Sequence, residues 1–309
     1  VDSKEKWIQK LSKPSAIQNP FKLINIASIN DIYILDLQTS EDIHINCPLS
    51  ESSPYNHFYL FINAASHTSS TVTLKTHCKK EDKIIINHCI EGTVQDNANL
   101  TLLTQYNTGT ESIILSDQLF DLNTESKFST YQYNKNTKIS RHHTQIDFKG
   151  ENAEGLINGL NLLEGTAEVH NHTKVIHHEE SCFCHQLFKN ILTEKANAEF
   201  NGLVYVHKDA QETDSNQANH NLILSDQARA LSRPQLEIFA DNVKCSHGAT
   251  TGQIDPEKIH YLVSRGIPKP EARTILTEGF AWEVFEDFPD QKTQKTLKTN
   301  LLKDLETIL

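Results

Sequence analysis

The chain has 309 residues, a formal net charge of −11 at pH 7, 37% hydrophobic residues and a mean hydropathy of −0.48. This length allows one large domain or two ordinary domains with a sizeable core. The acidic balance argues against nucleic-acid binding, which needs a concentrated basic surface. No apolar run approaches the roughly 18 residues of a membrane helix, and the first residues lack the apolar segment of a signal peptide. We therefore expect a soluble, cytoplasmic protein that binds neither nucleic acid nor membranes.

The six cysteines do not have the spacing of a zinc module. Cys182 and Cys184 are separated by one residue, and no second pair complements them. In a reducing cytosol most of the cysteines should be buried, unreactive thiols.

Residues 1–30 form a weakly patterned lead-in. Trp7, Ile8 and Leu11 mark one amphipathic turn before Pro14, and Pro20 interrupts the chain again. The pattern predicts a short helix or a loop.

Residues 31–254 show short alternating strands rich in β-branched and aromatic residues, for example at 31–37, 71–75 and 83–87. A polar corner that carries a small residue recurs at irregular spacing. It appears at 96–102, 151–157, 164–169, 195–200 and 226–231. Stacked corners of this kind are typical of a β-solenoid. A β-sandwich fits the same pattern, and the pattern alone leaves both open.

Residues 255–309 change to a helical period. Asp255 and Pro256 predict the start of one helix, and Gly266 predicts its end. A second helix opens at Pro270 with a stripe at Ala272, Leu276, Phe280 and Val284, and a third carries Leu297, Leu301, Leu305 and Ile308. These apolar faces need a partner, either the β domain or another protein.

Histidine is concentrated between residues 170 and 185. His170 and His172 share one face of a predicted strand, because side chains repeat every two residues. His177, His178, Cys182, Cys184 and His185 follow. The stretch is compatible with a metal site. The simpler interpretation is a polar ladder on a β-sheet, since no ligand spacing is fixed.

The pattern of residues 234–250 predicts a strand that ends in a tight turn carrying Cys245 and His247. We expect Lys244 to lower the pKa of the Cys245 thiol, and Gly248 to permit the turn. A thiolate and an imidazole two residues apart suit iron binding, but a structural corner fits equally well. The sequence has no nucleotide-binding motif and no patterned Ser/His/Asp triad.

Residues 141–285 resemble the SufB/SufD family of iron–sulfur cluster assembly scaffolds. The matching segments are 149–153, Cys182 with 186–189, 200–203, 221–224, 234–238 and 244–250. The resemblance continues through Gly252, Asp255, 261–262, 264–267, Ala272 and 279–280. In the SufB branch a Glu follows the histidine that corresponds to His247, and a functional Cys lies in the strand around 219–221. This chain has Gly248 and no Cys at those places, so it is more similar to the SufD branch.

The resemblance implies a right-handed parallel β-helix at 31–254 with a C-terminal helical region at 255–309. It implies a heterodimer with a SufB-like paralogue and a SufC ATPase bound to the helical region. It also implies that His247, with Cys245 beside it, faces a transient iron–sulfur cluster at the heterodimer interface. The residues that we expect to contact partners are Tyr261, Arg265, Gly266, Ala272, Leu276, Phe280 and Val284.

On this basis we expect a non-catalytic subunit that binds no stable cofactor of its own. A stand-alone β-helix carbohydrate-active enzyme is the alternative, but the sequence shows no acidic residues that recur at a fixed phase. A homodimeric structural protein is a second alternative.

Overall fold

The computed structural model describes residues 19–29, 31–47, 49, 53–78, 83–135 and 137–309. The predicted amphipathic turn at Trp7 lies outside these residues. The described chain begins with helix α1, Pro20–Ser28. Pro20 starts this helix instead of interrupting it, because a first helical residue needs no N–H partner. The side chain of Asn19 accepts a hydrogen bond from the N–H of Phe21 and caps the helix.

Sixteen strands follow in the described part of the chain. The odd-numbered strands are β1 (Ile32–Leu37), β3 (Tyr55–Ala64), β5 (Ile85–Val94), β7 (Ile113–Leu122), β9 (Ile139–Phe148), β11 (Glu168–His177), β13 (Asn197–Val206) and β15 (Arg229–Ile238). The even-numbered strands are β2 (Asp42–Asn46), β4 (Ser69–His77), β6 (Asn99–Asn107), β8 (Lys127–Lys135), β10 (Glu154–Leu163), β12 (Phe183–Leu192), β14 (Asp214–Ile223) and β16 (Lys244–Gly252).

The strands form two parallel sheets, one from the odd-numbered strands and one from the even-numbered strands. Each strand pairs with the strand two places away in sequence, so the chain alternates between the sheets and completes about seven turns. This pairing confirms the β-solenoid and excludes the β-sandwich, whose sheets are antiparallel.

The corners between odd and even strands are stacked on one another. Six of these corners, from the one between β3 and β4 to the one between β13 and β14, each have one residue with a positive φ angle: His67, Asn97, Glu125, Asn152, Ser181 and Glu212. The N–H of that residue donates to a carbonyl of the next turn, for example from Asn97 to Thr124 at 2.9 Å. Small residues beside these positions, such as Ala98 and Ala153, are buried. The polar corners that recur in the sequence therefore continue the hydrogen-bond ladder of the strands from one turn of the solenoid to the next.

Inside the solenoid an asparagine ladder runs across the even sheet. Asn134, Asn161, Asn190 and Asn221 occupy equivalent positions in successive even strands. The Nδ2 of Asn161 donates to the Oδ1 of Asn190 at 2.8 Å, and Asn190 donates to Asn221 in the same way at 2.7 Å. The amides of the ladder partner one another, so these four polar side chains are hydrogen-bonded within the core.

The C-terminal helices are α2 (Pro256–Ser264), α3 (Lys269–Trp282) and α4 (Gln291–Ile308), with a 3₁₀ turn at Glu283–Phe285. Asp255 caps α2 by accepting from the N–H of Glu257 at 2.9 Å, and Gly266 follows its end with a φ of 87°. Val284, Leu297 and Leu301 pack against Leu160 and other apolar residues of the even sheet. The β domain is therefore the partner of the main helical stripe.

None of the helices in the described ranges combines the length and the apolar character that a membrane crossing requires.

Three histidines, His88, His142 and His177, are almost completely buried. Burial lowers the pKa of each to about 3, from an ordinary value of 6.5. His88 and His142 lie on either side of Tyr106, with ring centroids 5.7 and 5.4 Å from the tyrosine ring. His177 stacks on Phe148 at 4.5 Å. All three act as neutral aromatic packing residues.

These histidines make the fold sensitive to acid. The unfolded chain takes up protons below pH 6.5, whereas the folded chain does not until about pH 3, so stability is lost as pH falls through this window. At one unit below the unfolded pKa the loss is about 1.4 kcal/mol per histidine. Urea unfolding at pH 7.5 and 5.5 should show the decrease, and His142→Phe should make it about 1.4 kcal/mol smaller. An unchanged decrease in His142→Phe, or an equal effect of His44→Phe at an exposed position, would contradict this assignment.

The corner at Gly150 has no room for a side chain. A Cβ atom there would lie 2.1 Å from the backbone nitrogen of Thr124, which cannot move away as a side chain could. Gly150→Ala should therefore reduce the free energy of unfolding by about 2–3 kcal/mol. Gly248→Ala is the matched control, since a Cβ at Gly248 meets nothing within 4 Å. Equal urea midpoints for the two variants would show that the corner tolerates displacement.

Candidate functional site

The C-terminal end of the solenoid exposes β15 and β16, which are the last strands of the two sheets. We call these two strands the terminal edge. β15 pairs with β13 and β16 pairs with β14, and neither has a strand on its other side among the described residues. The C-terminal helices do not pack across this end; α3 and the 3₁₀ turn contact β10 and β12. An uncovered strand edge offers backbone donors and acceptors to another chain.

Cys245 and His247 lie on β16, at the terminal edge. Their register partners in β14 are Ser215 and Gln217, both of which are buried inside the solenoid. Cys245 and His247 therefore continue two columns of interior side chains into the last turn, where the interior meets solvent. Cys245 is half-buried and packs against the core, whereas His247 is exposed. The alternation of the sequence had placed these two side chains on one face, as the structure does.

The tight turn predicted around Gly248 is wrong. Residues Lys244–Gly252 form strand β16 throughout, and Gly248 does not have a left-handed φ angle. The pairing with β14, which starts where the N–H of Lys244 donates to the carbonyl of Thr213 at 2.8 Å, keeps the segment extended. The lack of a side chain at Gly248 leaves open space on the outer face of the edge strand.

The predicted effect of Lys244 on the Cys245 thiol is also wrong. Burial raises the pKa of Cys245, and the carboxylate of Asp214 raises it further, while a hydrogen bond from the backbone of Ser215 opposes them. Lys244 precedes Cys245 in an extended strand, so its side chain points to the opposite face. Cys245 is therefore a protonated thiol at neutral pH, and a metal ion would have to displace its proton.

The His/Cys-rich stretch does not converge on one point. His170 and His172 project from the outer face of the odd sheet, where the Nδ1 of His170 lies 3.1 Å from a carboxylate oxygen of Glu199. His177 is inside the solenoid, and Cys184 is buried in the even sheet. Within the described ranges no three His, Cys, Asp or Glu side chains are grouped so as to hold a metal ion. The polar-ladder interpretation agrees with the contact of His170.

The predicted partner-contact residues divide by exposure. Tyr261 is 54% exposed, and the Arg265 guanidinium lies 4.2 Å from the centre of its ring. Gly266 is also exposed, and Leu276 is half-buried. Phe280 is half-buried and packs on the β domain, where the ammonium of Lys189 lies 4.5 Å from its ring centre.

Ala272 and Val284 are fully buried. They cannot touch a partner directly in this structure, because Val284 belongs to the core between helices and sheet, and the side chain of Ala272 on α3 has no exposed surface. Their predicted contact role is corrected to a packing role.

The predicted contact residues leave out four exposed apolar side chains on the helix pair and beside the terminal edge. Val263 and Ile275 lie on α2 and α3, beside the predicted stripe and not within it. Leu231, on β15, and Phe239, which follows it, lie at the terminal edge. The sequence contained a signal for Val263 and Ile275, because both are apolar residues that fall outside the helical stripe covered by the β domain.

Comparison with known proteins identifies the family. The model of the SUF system FeS cluster assembly, SufBD core domain, matches residues 50–280. Iron–sulfur cluster assembly protein SufD of Escherichia coli is 40% identical over 153 residues, which are 50% of this chain and 36% of that protein. An iron–sulfur cluster assembly SufBD family protein of Synechocystis is 33% identical over 203 residues, 66% of this chain and 45% of that protein. SufD of Bacillus subtilis is 33% identical over 125 residues, 40% of this chain and 29% of that protein.

The chain spans less than half the length of these three relatives. The matched region nevertheless includes almost the whole solenoid, the terminal edge and the helix pair α2–α3. The chain therefore belongs to the SufB/SufD family of iron–sulfur cluster assembly proteins, as a SufD-like member.

Proposed function

We propose that this chain is a non-catalytic scaffold subunit that pairs through its terminal edge with a SufB-like paralogue, so that an iron–sulfur cluster is built between the two chains. The cluster is the cargo of the assembly. The observation that carries the proposal is the position of His247, on an uncovered edge strand at the open end of the solenoid.

Strand pairing explains why the partner binds at this end. The terminal edge presents a row of unpaired backbone groups, and a strand of a second chain satisfies them. Leu231 and Phe239, 46% and 59% exposed, add apolar surface beside that edge. A paired chain would bury both kinds of group at once.

Ligand chemistry explains why the partner is a paralogue. Iron–sulfur clusters are held mainly by thiolates, commonly four of them. The terminal edge supplies one imidazole at His247 and one protonated thiol at Cys245, and Gly248 supplies no donor. A SufB-like chain would add the thiolate and carboxylate that this chain lacks, which a second copy would not.

Within this arrangement His247 would ligate iron through a ring nitrogen or orient the thiolate of the paralogue. Cys245 stands behind it, half-buried. Because the pKa of Cys245 is raised, its thiol would join the cluster only after iron binds and displaces the proton.

The helix pair α2–α3 is the proposed attachment site of a SufC-type ATPase. Tyr261 and Arg265 are stacked on its surface, and tyrosine and arginine are enriched among the residues that dominate interface energy. Behind this surface, Asn158 donates to the carbonyl of Val284 at 3.1 Å, and Lys189 forms an ion pair with Glu283. A movement of the ATPase would reach the even sheet, whose last strand is β16, through these contacts.

His247→Ala is the direct test of the scaffold role. In a complex reconstituted with the paralogue and the ATPase, the variant should lose most of the iron and acid-labile sulfide that the complex acquires. Assembly of the three chains should persist, because the edge pairing uses the backbone. The matched control is His44→Ala, an exposed histidine on the edge strand β2 at the other end of the same sheet. Normal cluster content in the His247 variant would exclude this residue from assembly.

Tyr261→Ala tests the ATPase site separately. Loss of a stacked aromatic anchor should weaken ATPase binding by about 2 kcal/mol, roughly 30-fold. Binding of the paralogue should be unchanged. Tyr55→Ala provides the control, since Tyr55 is 59% exposed but far along the chain in β3. Titration calorimetry with the purified ATPase gives the ATPase affinity of each variant, and titration with the paralogue gives the second affinity. Equal weakening of ATPase binding by the two variants would refute a site on α2–α3.

A further inference from the structure

A polar cavity lies between the start of α1 and the outer face of the odd sheet, away from the terminal edge. Its volume is about 290 Å³, at the lower end of the roughly 300–1,000 Å³ that is typical of small-molecule sites. Strands β7, β9 and β11 form its floor, and Asn19 and Pro20 form part of its wall. The proposed cluster-assembly role makes no use of it.

Basic side chains dominate the floor. Arg141 and His143 project from β9, and His172 and Lys174 project from β11. His143 and His172 are register partners on these adjacent strands, so their backbones lie about 4.8 Å apart. The four side chains therefore occupy one small patch, although the whole chain carries a net charge of −11.

The acidic groups near the cavity are already engaged. Asp117 is almost fully buried, receives a hydrogen bond from the Nδ2 of Asn19 at 2.6 Å, and lies 2.8 Å from the Nδ1 of His143. Lys22, which also lines the cavity, forms an ion pair with Glu91. The contact with Asp117 fixes the ring of His143 and leaves Nε2 as the nitrogen available to a ligand.

Arg141 retains hydrogen-bonding capacity. Its guanidinium lies 5.5 Å from the centre of the Phe21 ring, which holds the side chain beside α1. Its Nε–H is buried and has no acceptor in the part of the chain that the structure describes. A buried donor without an acceptor is costly, and an anionic oxygen would satisfy it. Burial lowers the pKa of His172 to about 4, and the positive charge of Arg141 is the second cause. His172 therefore faces the cavity as a neutral ring.

We propose that this cavity binds the phosphate group of a small molecule. Arg141 and Lys174 supply two positive charges at the floor of the cavity, which favour an anion. The guanidinium fork and the two imidazoles line the same cavity, so several donors can reach the oxygens of one phosphate group. The site lies on the outer face of the odd sheet and is separate from the terminal edge, because β13 lies between β11 and β15.

Calorimetric titration of the full chain with inorganic phosphate tests the site, with acetate at equal ionic strength as the competing anion. Phosphate should bind saturably, and acetate at least tenfold more weakly. The double substitution Arg141→Gln with Lys174→Gln should weaken phosphate binding at least tenfold. The control pair Arg229→Gln with Lys208→Gln removes the same charge from exposed positions and should change binding less than twofold.

A second measurement needs no variant. In the unmodified chain, the imidazole NMR signals of His143 and His172 should shift saturably as phosphate is added, while that of His44 stays in place. Stationary signals for His143 and His172, equal weakening by the two variant pairs, or acetate binding as tight as that of phosphate would each overturn the proposal.

Discussion

The structure depends on the stacking of one turn of the solenoid on the next. Parallel hydrogen bonds join each strand to the strand two places away, and the corners extend the same ladder through residues such as Asn97 and Asn152. Because side chains alternate between the two faces of each strand, this register decides which residues enter the core and which face solvent. The asparagine ladder in the even sheet is one product of that register, and the columns that end at Cys245 and His247 are another.

A solenoid has two ends, and the inward-facing residues of the last turn are more exposed than those of the middle turns. In the middle, an interior residue such as Gln217 is closed in by the turn on either side. In the last turn, the equivalent residue is His247, which is inward-facing by register and yet exposed. A ligand held there would contact the chain's interior columns and still be open to a second chain. The helices leave this end uncovered because their apolar stripe is used on the outer face of the even sheet.

Much of this was readable from the sequence. The alternating strands, the polar corners with small residues, and the caps at Asp255 and Gly266 are local signals, and the structure has them all. Patterns alone did not separate a solenoid from a sandwich, because strand alternation is the same in both; the choice depends on pairing between strands distant in sequence. The resemblance to the SufB/SufD family favoured the solenoid, and the parallel topology confirms the solenoid.

What the sequence missed has a common cause, which is that long-range contacts decide it. Gly248 suggested a turn, but pairing with β14 extends the chain there. Lys244 suggested a thiolate at Cys245, but in a strand the lysine points the other way and burial raises the thiol pKa. Val284 suggested a partner contact, but it is covered by the β domain. The cavity beside Arg141 is lined by residues of α1 and of three strands, and no local sequence pattern predicts it.

The central claim is that the terminal edge is the surface on which a SufB-like paralogue pairs. Amide hydrogen exchange of this chain, alone and with the paralogue, tests it at the backbone. The amides of β15 and β16 that point away from β13 and β14 should exchange rapidly in the isolated chain and slowly in the complex, while those of β1 and β2 at the other end should not change. Protection that appears on β1 and β2, or on the helices alone, with β16 still exchanging rapidly, would contradict the account.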